Sequence, residues 1–175
     1  MKIPQTFGAR IGSWLSDVAG SAGDLFLPSV TVDREDLRIY GDISERYLEG
    51  LRSDASVIYP YCGVDQTPAG IFPRTKFIDS NARNVRTLRR AGADAILCDP
   101  LQYREGSGAN LVLAQQSPAD LFNLSRVLSP REGGYMLCGN SFGAADMFAQ
   151  RNSSFKIVEQ FVRRDGREYQ LFRRL

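Results

Sequence analysis

The chain has 175 residues, a formal net charge of +2 and no histidine. This length suits about one domain with a single core, and so small a charge does not by itself indicate nucleic acid or an anionic membrane as partner. The missing histidine excludes a Cys–His catalytic pair and a mixed Cys/His zinc site, and we expect no metal site. No apolar run approaches the roughly 20 residues needed to cross a bilayer, so we expect no membrane insertion.

The N-terminal region, residues 1–41, differs in pattern from the rest of the chain. Phe7–Val18 predicts one short amphipathic helix, and glycines and prolines interrupt regular structure after it. Asp42 and Glu45 have capping-box spacing, which predicts that a helix begins there. We therefore predict an N-terminal extension or lid over residues 1–41 and an α/β domain over residues 42–175.

From Ser56 onward, short apolar segments alternate with segments of helical periodicity. This alternation predicts an α/β fold, with an open parallel sheet and helices on its faces. The predicted parallel strands are Val57–Tyr61, Lys76–Ile78, Ala95–Cys98, Leu111–Ala114 and Tyr135–Cys138.

Turn and capping residues mark the ends of the predicted helices and of the hairpin that closes the chain. The residues that cap or stop the predicted helices are Ser80 or Asn81, Gly92, Ser117 with Pro118, and Asn140 or Ser141. At the end of the chain, Phe155–Val162 and Arg167–Phe172 are joined across an Asp-Gly pair. This pattern predicts a C-terminal antiparallel β-hairpin.

The 3 cysteines of the chain are widely spaced. Cys62, Cys98 and Cys138 each close an apolar segment, where cysteine behaves as a small hydrophobic residue. An odd count with wide spacing fits reduced thiols better than a disulfide framework. The start of the chain lacks the charged and apolar regions of a signal peptide. We therefore expect a cytoplasmic protein whose cysteines are structural.

Acidic residues follow two neighbouring strands of the predicted sheet. Asp79 comes directly after the second strand and Asp99 directly after the third. Ligands of open parallel sheets bind outside the carboxyl ends of the strands, so we expect both carboxylates to line one cleft. A carboxylate has two acceptor oxygens, which suit a vicinal diol or an exocyclic amine. The alternative is that each aspartate only caps the loop or helix after its strand.

The predicted strands, helices and closing hairpin resemble the class I S-adenosylmethionine-dependent methyltransferases. The stretches that carry the resemblance are VIYPYCG (Val57–Gly63), KFIDSN around Asp79, AILCDP around Asp99, and LFNLSRVLSPREGGYMLCGN (Leu121–Asn140). The resemblance covers about residues 55–175. It implies a Rossmann-like class I methyltransferase fold, in which a mostly parallel seven-stranded sheet ends in a C-terminal antiparallel hairpin. The cofactor it implies is S-adenosylmethionine.

The resemblance also implies which residues contact that cofactor. The family's acid after strand two holds the ribose hydroxyls, a position that Asp79 occupies here. Its acid after strand three meets the adenine, and Asp99 stands there. The full set of implied contact residues is Tyr61, Gly63, Asp65, Asp79, Ser80, Asp99 and Gln115. No residue is assigned a catalytic role.

The first loop departs from the family pattern, which reads acid-x-Gly-x-Gly. Tyr59 stands at the acidic position and Tyr61 at the first glycine, so that only Gly63 remains. Asp65, two residues later, is the candidate to replace the missing acid. Tyr59 and Tyr61 alternate along one predicted strand, so we expect their side chains on the same face.

Three functions stay open. The first is a methyltransferase with an unknown acceptor, since such an enzyme works largely by alignment and needs few catalytic side chains. The second is an inactive methyltransferase-fold binding or scaffold protein, which the altered glycine loop favours. The third is a nucleotide- or RNA-binding module, although clustered arginines more often form a solvated face. The clusters are Arg83, Arg86, Arg89 and Arg90, and Arg163, Arg164, Arg167, Arg173 and Arg174.

Overall fold

The computed structural model describes residues 28–51, 54–104, 108–115, 118–140 and 143–175. The predicted helix over Phe7–Val18 and the candidate caps Ser117 and Ser141 lie outside these ranges. The strands are β1 (Val57–Pro60), β2 (Thr75–Asp79), β3 (Asp94–Leu97), β4 (Leu111–Ala114), β5 (Tyr135–Gly139), β6 (Phe155–Val162) and β7 (Glu168–Arg174).

Within the described ranges the strands form one 7-stranded sheet in the order β3-β2-β1-β4-β5-β7-β6. The pairs β1–β2, β1–β4, β2–β3 and β4–β5 are parallel. Strand β7 runs antiparallel to both β5 and β6. The predicted mostly parallel sheet and its C-terminal antiparallel hairpin are therefore confirmed.

The described α-helices are α1 (Arg34–Tyr47), α2 (Ala82–Arg90), α3 (Pro118–Val127) and α4 (Ala144–Arg151). Asn81 caps α2 as predicted, since its side-chain oxygen accepts the Arg83 N–H at 2.9 Å. Gly92, at φ 83°, lies just past the end of that helix. The Asn140 side chain accepts the Ala145 N–H at 3.1 Å and so caps α4 from a few residues upstream. No helix in the described ranges is long and apolar enough to cross a bilayer.

Helix α1 begins earlier than the sequence predicted. Asp33 caps it, and its side chain accepts the backbone N–H groups of Glu35 and Asp36. Asp42 instead lies inside the helix and pairs with Arg38 at 3.3 Å, so the predicted start at Asp42 is wrong. The helix continues through this region because its apolar side packs into the core. The position predicted as a domain boundary, between residues 41 and 42, lies within α1.

Two apolar clusters lie on opposite faces of the sheet. The first joins α1 and α2 to the sheet through residues such as Ile39, Leu88 and Leu113. The second joins α3 and α4 to it through residues such as Leu124 and Phe148. Each helix therefore contributes an apolar stripe to one of two layers that cover a fully packed sheet.

Tyr59 and Tyr61 do not share a face. Tyr59 belongs to the cluster under α1 and α2, whereas Tyr61 packs against the cluster under α3 and α4. The prediction fails because β1 ends at Pro60 and Tyr61 adopts a left-handed conformation with φ 51°. Strand alternation no longer applies once the chain turns out of the extended conformation.

Candidate functional site

A cavity of about 370 Å³ opens at the carboxyl edge of the sheet. Strands β1, β4 and β5 end beside it, the start of α1 covers one side, and the turn between β6 and β7 covers another. The residues that line it are Thr31, Val32, Asp33, Asp36, Tyr59, Cys62, Asp65, Gln115, Gly139, Arg167, Glu168 and Tyr169. This is the edge where ligands of open parallel sheets bind.

A hydrogen-bonded network forms part of the cavity wall. The Tyr59 hydroxyl lies 2.8 Å from Asp65 Oδ2 and 3.1 Å from Gln115 Oε1, so two acceptors share its one proton. Gln115 Nε2 donates to the Tyr40 hydroxyl at 2.6 Å. Burial, followed by the nearby Asp65 carboxylate, raises the pKa of Tyr59 well above its usual value. Tyr59 is therefore a neutral donor near pH 7.

The Asp65 carboxylate is fixed from a second direction. Its Oδ1 accepts the Thr67 backbone N–H at 2.9 Å and also the Thr67 hydroxyl. The Thr67 hydroxyl in turn accepts the Asp33 N–H at 2.8 Å. The chain before α1 is joined to the same loop, because Thr31 N–H donates to Val64 O at 3.0 Å. The loop after β1 and the start of α1 thus form one connected wall.

A buried ion-pair cluster fixes α1 to the β6–β7 hairpin. The Arg163 side chain is only 4% exposed and donates to Asp36 and, at 2.7 Å, to Asp33 Oδ2. Burial raises the pKa of Asp36 despite the neighbouring arginine. Burial by itself would also raise the pKa of Asp33. Hydrogen bonds from Arg163 and from two backbone N–H groups outweigh it and hold the pKa of Asp33 below its usual value.

Asp79 and Asp99 lie at the same edge on adjacent strands, but neither lines the cavity. Asp79 is 7% exposed, and its carboxylate accepts the N–H groups of Gly63 at 2.9 Å and Asn81 at 2.7 Å. Asp99 is half-buried and accepts the Leu101 N–H at 3.0 Å. Both aspartates therefore make the capping contacts that were the alternative prediction. A shared role in binding a ligand stays a prediction.

The structure brings only part of the predicted contact set together. Asp65 and Gln115 line the cavity, whereas Tyr61, Gly63 and Ser80 lie outside its lining. Ser80 is exposed at the sheet edge. Gly63, at φ 60°, has open space beside it, since a Cβ built there would meet no atom within 4 Å.

Sequence reasoning missed the acidic start of α1 and the hairpin residues on the cavity. Asp33 followed by Glu35 and Asp36 is an N-cap and an acidic first turn, a signal that could have been used. Arg167, Glu168 and Tyr169 carry no comparable signal. They reach the cavity only because β7 pairs with β5.

The hydrogen-bond acceptors at the sheet edge fit the adenosine part of S-adenosylmethionine. One N–H occupies Asp79 Oδ2, which leaves that oxygen a further lone pair for a hydroxyl. Asp99, which follows the adjacent strand β3, supplies a half-buried carboxylate. The space at Gly63 permits close approach of a ligand to the backbone.

No protein-family model matches the chain, and no curated protein matches its sequence. Solved structures do match its fold. The candidate methyltransferase yhhF from Escherichia coli superposes with a TM-score of 0.63 at 11% identity, over 85% of this chain and 89% of that one. The N-methyltransferase NodS from Bradyrhizobium japonicum WM9 gives 0.52 at 14% identity, over 82% and 99%.

A further match is the 16S rRNA methyltransferase RsmC from T. thermophilus, in complex with AdoMet and guanosine. Its TM-score is 0.51 at 16% identity, over 67% of this chain and 34% of that one. Strand order, strand direction and these superpositions agree. The chain has the fold of the class I S-adenosylmethionine-dependent methyltransferases, and these three structures are 11%, 14% and 16% identical to it in sequence.

Proposed function

We propose that the protein is an S-adenosylmethionine-dependent methyltransferase that holds its cofactor at the carboxyl edge of β1, β2 and β3 and its acceptor in the adjoining cavity. The observation that carries the proposal is that the contact to Asp79 and the cavity lining come from the same loop after β1. The Gly63 N–H donates to Asp79, and Asp65, two residues further on, lines the cavity. One short loop thus connects the contact to Asp79 with an open polar pocket.

Each group has a role in this proposal. The cofactor, when bound, supplies an electrophilic methyl group. Asp79 accepts the ribose hydroxyls, Asp99 accepts the adenine amine, and the open space at Gly63 admits the cofactor next to the backbone. Tyr59, Asp65 and Gln115 form a rigid polar wall that orients the acceptor, which is the main contribution such a site makes to the rate.

Calorimetric titration with S-adenosylmethionine and S-adenosylhomocysteine tests the proposal. The wild type should bind both, and Asp99→Ala should weaken binding tenfold or more because it removes an adenine contact at the cost of one internal hydrogen bond. Asp79→Ala should weaken it at least as much. Because Asp79 also holds two backbone N–H groups, its variant needs a thermal-unfolding check.

The matched control is Asp94→Ala. Asp94 is an exposed aspartate at the start of β3, on the opposite edge of the sheet from Asp99, so its removal should leave cofactor affinity unchanged. An equal loss of affinity in Asp94→Ala and Asp99→Ala would refute the assigned site.

A specific observation supports a second candidate, a methyltransferase-fold binding protein without activity. Both Asp79 oxygens already accept backbone N–H groups, and Tyr61 holds a left-handed conformation where the family has glycine. This candidate predicts that the wild type binds neither ligand and that Tyr61→Gly gains affinity. The same titrations therefore separate the two candidates.

A further inference from the structure

A second open groove, of about 420 Å³, lies on the face of the sheet covered by α3 and α4. It is bounded by the last turns of these two helices, the start of β6 and the end of β7. Its lining residues are Phe122, Ser125, Arg126, Ser129, Arg151, Asn152, Ser154, Phe155 and Arg174.

Three arginines from separate elements line this groove. Arg126 comes from the last turn of α3, Arg151 from the last turn of α4, and Arg174 from the end of β7. No aspartate or glutamate is among the described residues that line the groove. Hydroxyl and amide groups of Ser129 and Asn152 add neutral hydrogen-bonding capacity. Such a set of donors is complementary to an anion.

The groove differs from two other arginine sites of the described structure, at which carboxylates neutralise the charge. Elsewhere, Arg46 pairs with Glu159 at 2.7 Å, and Arg163 is held by the buried carboxylates of α1. Within the groove, Arg174 donates to the Pro130 carbonyl at 2.6 Å, which fixes its guanidinium without neutralising it.

The favourable interaction of cations with helix C-termini accounts for Arg126 and Arg151 taken singly. It does not account for Arg174, which reaches the same groove from a strand. Nor does it account for a lining free of carboxylates among the described residues. Convergence from three separate elements is the observation that points to a ligand.

We propose that this groove binds phosphate groups of a nucleic-acid backbone. Guanidinium groups bind phosphate oxygens with paired, planar hydrogen bonds, and contacts of this kind carry no base specificity. The groove is separate from the cavity at the carboxyl edge. Glu168 lines the cavity and Arg174 lines the groove, and these residues stand at opposite ends of β7, about 20 Å apart at the usual strand rise.

Fluorescence anisotropy with a labelled 20-nucleotide single-stranded RNA of mixed sequence, in the absence of S-adenosylmethionine, tests the proposal independently of any methyltransferase activity. The wild type should bind, and its affinity should fall with salt at a logarithmic slope of about −2, as expected for roughly three phosphate contacts. The double variant Arg126→Gln, Arg151→Gln should bind at least tenfold more weakly.

The matched control is Arg86→Gln, Arg90→Gln, which removes the same charge from α2 on the opposite face. Arg126 and Arg151 are exposed, so their variants should keep the unfolding temperature of the wild type. A second variant, Ser154→Asp, retains all the arginines but places a carboxylate at the groove, and it should also weaken RNA binding.

Titration with pyrophosphate alone distinguishes the sources of the phosphate. If only pyrophosphate binds, and the groove variants lose it, the phosphate site stands and its ligand is a free phosphate compound. If the wild type binds neither RNA nor pyrophosphate, the proposal is overturned. It is equally overturned if the control on α2 loses as much affinity as the groove variant.

Discussion

Gly139 ends β5 where the main chain of Gln115 passes close by. A Cβ at this position would lie 2.7 Å from the Gln115 carbonyl oxygen, a distance that backbone atoms can relieve only by moving apart. The Gln115 side chain is joined to Tyr40 and Tyr59. The glycine therefore fixes the spacing between β5 and one wall of the cavity.

We expect Gly139→Ala to destabilise the protein by about 1–3 kcal/mol, the usual cost of forcing an extra carbon into a packed site. Gly41→Ala is the control, because Gly41 lies inside α1 and a Cβ there meets no atom within 4 Å. It should stabilise the fold by about 0.5–1 kcal/mol, since alanine favours helix over glycine. Urea denaturation measures both, and equal effects of the two changes would refute this reading of Gly139.

The three thiols should differ in reactivity. Burial, with the nearby Asp79 carboxylate second, raises the pKa of Cys62 to about 12, and burial also raises the pKa of Cys138 far above its usual value. Cys98 is only half-buried. Because the thiolate is the reactive form, a thiol reagent at neutral pH should label Cys98 first. Mass spectrometry of the native protein that found Cys62 or Cys138 labelled before Cys98 would contradict the structure.

At the scale of elements, α1 is held to the β6–β7 hairpin by the Arg163 ion-pair cluster. Asp36 and Arg163 are both nearly inaccessible, with side-chain exposures of 7% and 4%. A buried pair of this kind adds little net stability compared with apolar side chains of the same size. Removing one partner is costly, because it leaves the other charge buried and uncompensated.

We therefore expect Arg163→Ala to destabilise the protein by about 3–5 kcal/mol. The neighbouring Arg164→Ala is the control, since that side chain is 96% exposed and its ion pair should contribute no more than about 0.5 kcal/mol. Thermal unfolding of the two variants gives the comparison. If both changes had the same small effect, α1 would not depend on the cluster.

The contribution of Asp33 to the stability of the fold should depend on pH. Its folded-state pKa lies below the usual value of 3.8, so its ionised form stabilises the fold fully above pH 3.8 and loses this effect as the pH falls through the lower folded-state value. Asp33→Asn keeps a capping side chain but loses the charge. Because Asp33 is more than a third exposed, we expect a cost of about 1 kcal/mol at pH 7.

The difference in unfolding free energy between the wild type and Asp33→Asn should shrink as the pH falls below 3.8. Unfolding curves of the two proteins across that range measure it. A difference between wild type and Asp33→Asn that stayed constant or grew in acid would contradict the assignment.

The success of sequence reasoning also differed between elements. The strands were predictable because a sheet covered on both faces demands continuous apolar runs, as in Leu111–Ala114. The start of α1 was missed although Asp33, Glu35 and Asp36 carry a local capping signal. The sequence could not show that Asp33 also contacts Arg163, 130 residues away. The turn at Tyr61 could not be read either, since a left-handed backbone is expected mainly at glycine. An overlooked capping signal therefore accounts for the failure at α1, and a rare backbone conformation accounts for the failure at Tyr61.

At the scale of the whole molecule, the cavity and the groove lie at opposite edges of the sheet. Its carboxyl edge carries the aspartates after β2 and β3 together with the cavity, and its opposite edge carries the arginine groove. The fold was predictable from the order of strands, helices and hairpin. The cavity was not, because α1, the loop after β1 and the hairpin contribute to it from separate parts of the sequence.

The crystal structure of the protein grown with saturating S-adenosylhomocysteine tests the central claim most directly, because it locates the ligand. We predict adenosine density beside Gly63, with the ribose at Asp79, the adenine at Asp99 and the amino-acid portion directed to the cavity that Tyr59 and Asp65 line. Density for the ligand elsewhere on the molecule, or none at this edge at saturation, would contradict the account.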